Sequence, residues 1–335
     1  MVQDIHECVK ETHDLVGLGE PKHGEPVFGQ ARNELFAQLV ERGFRSIALE
    51  TDRVAALLVD DFVQEGAGTL DEAMSAGFTH GFGAFAANRR LVEWMREYNR
   101  DRAPAQRLAF HGIDAPLEFT AASPRRYLEH ARDYLGLDLD VAKLVGEDER
   151  WSRTEAVTDP AESPGDTAEA RHLRAIADDL HTRLYAEAPQ LIAATSRVAW
   201  HRAGIHLTAA LGLLRYHRQA AERAEESERW SRLSATRDAL MAQNLLDIRS
   251  IEAGRGPTMI SAHNIHLQRN ISRMSMGGMD LTWSGTGAIL AALVPERYAF
   301  IAGSPGRGEP PLDQATLDGA DAVLHVGEDT ATTTP

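Results

Sequence analysis

The sequence predicts an α/β fold: a central, mostly parallel sheet flanked by helices, with a helical insertion at about residues 120–255 covering the cleft. Three observations predict it. Six short apolar runs, each closed by polar residues or glycine, read as buried strands: DLVGLGE (14–20), RSIALE (45–50), LAFHGID (108–114), PTMISAHN (257–264), YAFIAG (298–303) and DAVLHV (321–326). A helical pattern joins the first two, and such a strand–helix–strand unit implies parallel pairing with a right-handed crossover. The middle of the chain then reads almost wholly helical. The expectation is one domain over residues 1–335 that includes the insertion.

The elements follow in order. The first strand runs into GLGEPKHGEP (17–26), which crowds carboxylates, a lysine and a histidine into a turn. In VFGQARNELFAQLVERGF, Phe28, Leu35, Phe36, Leu39 and Val40 share one helical face, and Gly43 marks the stop. The segments RHLRAIADDLHTRLYAEA, SRVAWHRAGIHLTAALGLLRYHRQ and SRLSATRDALMAQNLLDIRS carry apolar residues at three- and four-residue spacing. Only TDPAESPGDT (158–167) breaks them as a turn-rich loop. The tail GEDTATTTP is polar and expected to fray.

Composition narrows the partners. The chain is 43% apolar and 25% charged, with a net charge of −15. That charge argues against a nucleic-acid backbone or an anionic membrane surface as the main partner. A single cysteine, Cys8, excludes an internal disulfide. The N-terminus MVQDIHECVKETHD lacks the apolar core of a secretory signal, and no window is long enough to span a membrane. A soluble cytoplasmic protein acting on a small molecule is expected, with no oligomeric state predicted.

In open parallel sheets ligands bind outside the carboxyl ends of the strands, and the polar clusters sit at those ends. Glu20 and His23 follow the first strand, Glu50 the second, Asp114 the third, and His263, Asn264 and His266 the fourth. His23 beside Glu20 is either a solvated turn or a histidine that takes a proton from water while a carboxylate fixes its tautomer. Arg32, four residues after Phe28 and three before Leu35, falls on or beside the buried face. A guanidinium there needs a partner, for which Glu20 and Glu50 are candidates, or else snorkels to water. The AHNIH spacing raises a zinc site, but there is no HExxH, no cysteine ligand and no compact triad. A metal-free and cofactor-free set of two histidines and two glutamates is the reading taken. Lys22, His80, Asn264 and His266 are the candidates for substrate contact, with His266 in a supporting place and His111 a hydrogen-bonded core residue. Serine hydrolase chemistry is unsupported, because no GxSxG elbow follows a strand.

GLGEPKHGEP followed by ARNELFAQLVERGFRSIALETD resembles the erythromycin esterase family, as do FTHGFGAFAANRRLVEWMREYN, FHGIDAP, TRDALMAQN and SAHNIHLQR. The resemblance is dense over 14–126 and 235–303. It implies metal-independent ester hydrolysis, best known as macrolide ring opening, so a macrolide or another secondary metabolite is the expected substrate. It matches Glu20 and His23 to the family's GExxHG motif, Arg32 to the arginine of the next helix, Glu50 to the second-strand glutamate and His263 to the first histidine of AHNxH. It implies that His23 activates water, that Glu20 and Glu50 orient His23 and hold Arg32, and that His263 donates a proton or stabilises the oxyanion. Two features depart from the family. Lys22 replaces a small residue and is expected to depress the His23 pKa or to pair with Glu20. The connection GSPGRGEPPLDQATLDGA (303–320) is short. These favour an alternative to hydrolysis, a tailoring enzyme using the same cluster for cyclisation, elimination or epoxide opening; a third reading, a non-catalytic small-molecule binder, is opposed by the presence of Glu20, His23, Arg32, Glu50 and His263 together.

Overall fold

The computed structural model describes residues 8–115, 117, 119–304 and 312–325. The chain's first seven residues, the tail GEDTATTTP and the centre of the 303–320 connection lie outside the described residues. The chain divides into two compact units, Met1–Asp114 with Met241–Pro335, and Ala115–Leu240.

All six predicted strands are present in the first unit: β1 (Leu15–Glu20), β2 (Ser46–Asp52), β3 (Ala109–Asp114), β4 (Thr258–His263), β7 (Tyr298–Ser304) and β8 (Ala322–His325), with β5 (Ser272–Met276) and β6 (Met279–Trp283) between β4 and β7. The six form one sheet in the order β3-β2-β4-β1-β7-β8, and every pairing is parallel. The crossover from β1 to β2 passes through helix α1 (Pro26–Glu41) and leaves a gap that β4 fills.

Side chains alternate between two buried faces, which is why the strands read as unbroken apolar runs. Val16, Leu18, Ile47, Leu49 and Met259 pack with Phe28, Leu35, Phe36 and Leu39 of α1. Leu15, Ala48, Ile260 and Phe300 pack on the other face with Met241, Leu245 and Ile248 from the end of helix Glu226–Glu252 and with Leu290. His111 bonds Glu252 across this face at 2.9 Å, as expected of a core histidine. Strands β5 and β6 form an antiparallel hairpin that the apolar-run criterion misses, because Arg273, Met274 and Ser275 of β5 are exposed. The signal was Gly277-Gly278: both adopt positive φ, +58° and +83°, as a two-residue hairpin turn requires.

In the second unit the helices Ala168–Ala186 and Arg197–Ala220 pack on each other. Thr167 and Ser196 cap their N-termini by accepting from Ala170 N and Ala199 N. His217 is fully buried against Trp151, and His206 stacks on His130 with ring centroids 3.6 Å apart. Among the described residues no helix is long and apolar enough to cross a membrane.

One buried side chain ties helix α2 (Ala86–Asn99) to the strand that follows it. Asn99 donates to Val63 O at 3.1 Å and Leu108 O at 2.8 Å, and accepts from Leu108 N at 2.6 Å. Asn99→Ala takes the side-chain partner from Val63 O and Leu108 N, while Leu108 O keeps Gln64 Nε2 at 2.7 Å, and is expected to cost about 2–3 kcal/mol of stability. A denaturant midpoint within error of wild type would contradict this role.

Candidate active site

Because the strands are parallel, their carboxyl ends share one edge, and the register sets what meets there. Glu20 of β1 lies directly beside His263 of β4. On the other side of β4, Leu49 pairs with Ser261, and the ladder then stops. The next amide of β4, that of His263, donates to the Glu50 side chain at 2.8 Å instead. Glu50 is 4% exposed; its Oε1 lies 3.5 Å from His266 Nε2 and its Oε2 3.6 Å from His23 Nε2.

His23 thus stands between two carboxylates, since its Nδ1 is 3.3 Å from Glu20 Oε2. Glu20 Oε1 accepts from Ser261 Oγ at 3.2 Å, and Phe82 lies against the imidazole at 4.9 Å between centroids. Burial by itself would pull the His23 pKa down, but the Glu20 hydrogen bond and the charges of Glu50 and Glu20 outweigh it, and the net shift is upward from 6.5. With Nδ1–H held by Glu20, the lone pair of the neutral ring sits on Nε2.

His263 is arranged differently. Its Nδ1 accepts from Ile265 N and its Nε2 donates to Pro21 O, both at 3.1 Å. Burial and the nearby His23 charge lower its pKa to about 4, so it is neutral at pH 7 with its one proton on a backbone carbonyl. The geometry does not offer that proton to a reaction. It ties β4 to the turn that carries His23.

A cavity of about 320 Å³ opens here, lined by Glu20, His23, Arg32 and Glu50 among others. This is at the lower end of the usual range for small-molecule sites. Of the sequence-predicted residues, those four line it; Lys22, His80, His263, Asn264 and His266 do not. Lys22 is exposed and pairs with Glu25 at 3.5 Å, rather than with Glu20, and the His23 pKa is raised rather than depressed. Asn264 is occupied by Gly303, donating to its carbonyl at 2.8 Å and accepting from its amide at 3.1 Å. Gly19 makes room for it: a Cβ there would lie 2.1 Å from Asn264 Oδ1. Arg32 is buried as expected but bonded to neither glutamate; Nε and Nη2 donate to Asn33 Oδ1 at 3.1 and 2.8 Å.

His80 sits behind the cavity. Its φ of +56° is the left-handed value that non-glycine residues seldom adopt. Its Nε2 bonds Asp114 Oδ2 at 3.1 Å, and its ring backs Phe82. The cavity residues missed in the sequence include Phe82, Phe85, Arg90 and Ser261. The first three belong to GFGAFAANRR, where aromatic and basic residues at a helix start were the available signal. Among the described residues no group of three or more histidine, cysteine, aspartate or glutamate side chains has the geometry to hold a metal ion.

Glu20→Gln removes the hydrogen-bonding carboxylate, so the His23 pKa is expected to fall, followed by NMR titration of the imidazole. Lys22→Ala is expected to move it far less. A His23 pKa that stays in place or rises in Glu20→Gln would remove Glu20 as its cause.

The family model for erythromycin esterase matches residues 39–328, which include Glu50 and His263, while Glu20, His23 and Arg32 precede the matched span. Among solved structures the chain is similar to a Bacillus cereus protein, with a TM-score of 0.65, 18% identity and coverage of 91% of this chain and 69% of that one. It is also similar to a mutant of the erythromycin esterase EreC in its open conformation, at 0.63, 23%, 89% and 71%. A succinoglycan biosynthesis protein gives 0.64, 18%, 91% and 69%. These identities show a shared fold. None of the curated proteins compared with the chain matches it. The matched span covers most of the chain, and the chain belongs to the erythromycin esterase family.

Proposed function

We propose that the protein hydrolyses a carboxylic ester or lactone of a small molecule, with His23 as general base. The observation that carries this is the His23 imidazole held between Glu20 and Glu50 in the cavity wall. Its Nε2 takes a proton from water as the water oxygen bonds to the ester carbonyl carbon. Glu20 fixes the tautomer, and both carboxylates stabilise the imidazolium that forms. The tetrahedral intermediate then collapses, the C–O bond to the alcohol breaks, and the leaving oxygen takes the proton back from His23. Products are the acid and the alcohol.

The other residues hold this arrangement. The His263 amide and His266 fix Glu50, and the His263 ring fixes Pro21 two residues before His23. Arg32 supplies positive charge to the cavity, toward which the oxygens of an ester turn. The family's name points to macrolide lactones as one substrate class. Lys22, the departure that favoured a non-hydrolytic tailoring role, lies on Glu25 outside the cavity lining.

His23→Gln is expected to lower hydrolysis of aryl esters or macrolides by roughly 10²–10⁴-fold with an unchanged circular dichroism spectrum. The base works deprotonated and its pKa is raised, so kcat/KM is expected to fall with decreasing pH through a midpoint above 6.5. Wild-type turnover in His23→Gln would refute the assignment.

A further inference from the structure

A second part of the cavity wall, formed by α1 and the first turn of α2, carries two guanidinium groups, of which the proposed hydrolysis draws only on the charge of Arg32. The two helices cross closely at Gly29, where a Cβ would lie 2.7 Å from Ala87 Cβ, and Asn33 donates to Ala87 O at 2.8 Å. Arg32 is 3% exposed and lines the cavity beside this crossing. Asn33 takes its Nε and one Nη2 hydrogen. Among the described residues Nη1 has no partner and the guanidinium has no ion pair. Arg90 lies three residues beyond Ala87, one turn along the same helix, and also lines the cavity. Among the described residues it makes no hydrogen bond or ion pair.

The backbone adds to this. Helix α2 has no side-chain cap, and its first amide bonds are those of Asn88 and Arg89 to Phe85 O. The amides of Ala86 and Ala87 have no intrahelical partner, and both residues line the cavity. Of the carboxylates of the wall, Glu50 faces His23 and Glu25 faces Lys22, while Glu20 bonds His23 and its charge also reaches Arg32 without bonding it. A buried guanidinium whose one counter-charge, Glu20, is not directly bonded to it is costly. A second guanidinium and two free amides add donors beyond what a neutral ester would use. A planar oxyanion group fits the forked geometry of arginine.

We propose that this wall is a subsite for an oxyanion group on the substrate, a carboxylate or a phosphate, so that the ester hydrolysed is an acidic one. The subsite stands on Arg32, Arg90 and the α2 amides alone. Only the word ester rests on the hydrolase reading.

The test compares 4-nitrophenyl hemiadipate with its neutral counterpart 4-nitrophenyl hexanoate, in wild type, Arg90→Gln and Arg90→Lys. Wild type is expected to favour the acidic ester in kcat/KM by about 10–100-fold, chiefly through KM, with the preference shrinking as salt is added. Arg90→Gln is expected to bring the ratio toward one, and Arg90→Lys to restore part of it. Equal use of both esters by wild type, or a proportional loss on both in Arg90→Gln, overturns the proposal. Calorimetric titration with adipate and with inorganic phosphate decides the matter without turnover and separates the two sources of the oxyanion. Binding of either that weakens at least tenfold in Arg90→Gln supports the subsite even if neither ester is cleaved, in which case the hydrolase reading alone fails. No binding of either to wild type overturns the subsite.

Discussion

The Glu50 carboxylate finishes a hydrogen-bond ladder that the backbone leaves incomplete, and the site is organised around that fact. Strands β2 and β4 pair through Leu49 and Ser261, and the next amide finds a side-chain oxygen rather than a carbonyl. A buried backbone N–H must be satisfied, so the group that closes the sheet is held as an acceptor. Its two oxygens then face His23 and His266. A single residue therefore belongs to the sheet and to the histidine cluster, and the position of His23 relative to β4 follows from strand pairing rather than from a flexible contact.

Two histidines a few ångströms apart show how environment divides labour. The rings of His23 and His263 meet edge to face at 5.4 Å. His23 has a carboxylate on each side and is biased toward its cation. His263 has only backbone partners and is biased toward neutrality. The same side chain is in one case a raised-pKa imidazole between two carboxylates and in the other a neutral ring tied to the turn that carries the first.

The strands were legible because both sheet faces are buried, which writes each strand as an unbroken apolar run. Glu20, His23 and Glu50 were legible because they interrupt those runs at their carboxyl ends. The partner of Arg32 was not. Helical spacing gives the face a residue occupies but not how far its side chain reaches, and Asn33, next to it in sequence, outcompeted both glutamates. Asn264 looked available for substrate in the sequence, since nothing there showed that Gly19 and Gly303 leave it a backbone-lined slot. Arg90 and Phe82 escaped because what a helix start and the turn before it contribute to a cavity depends on a helix crossing that no local pattern encodes.

The strand order also bears on how the chain is made. β1 pairs only with β4 and β7, whose residues come more than two hundred positions later, while β2 and β3 pair with each other at once. As the polypeptide leaves the ribosome, β2 and β3 can dock early, but β1 must wait with an unfilled space between itself and β2. Glu20 and His23 are therefore present from the start of synthesis, yet acquire their neighbours only when β4 is threaded into the centre of the sheet. Completion of the Glu20–His23–Glu50 cluster and closure of the sheet therefore depend on the same long-range pairing of β4.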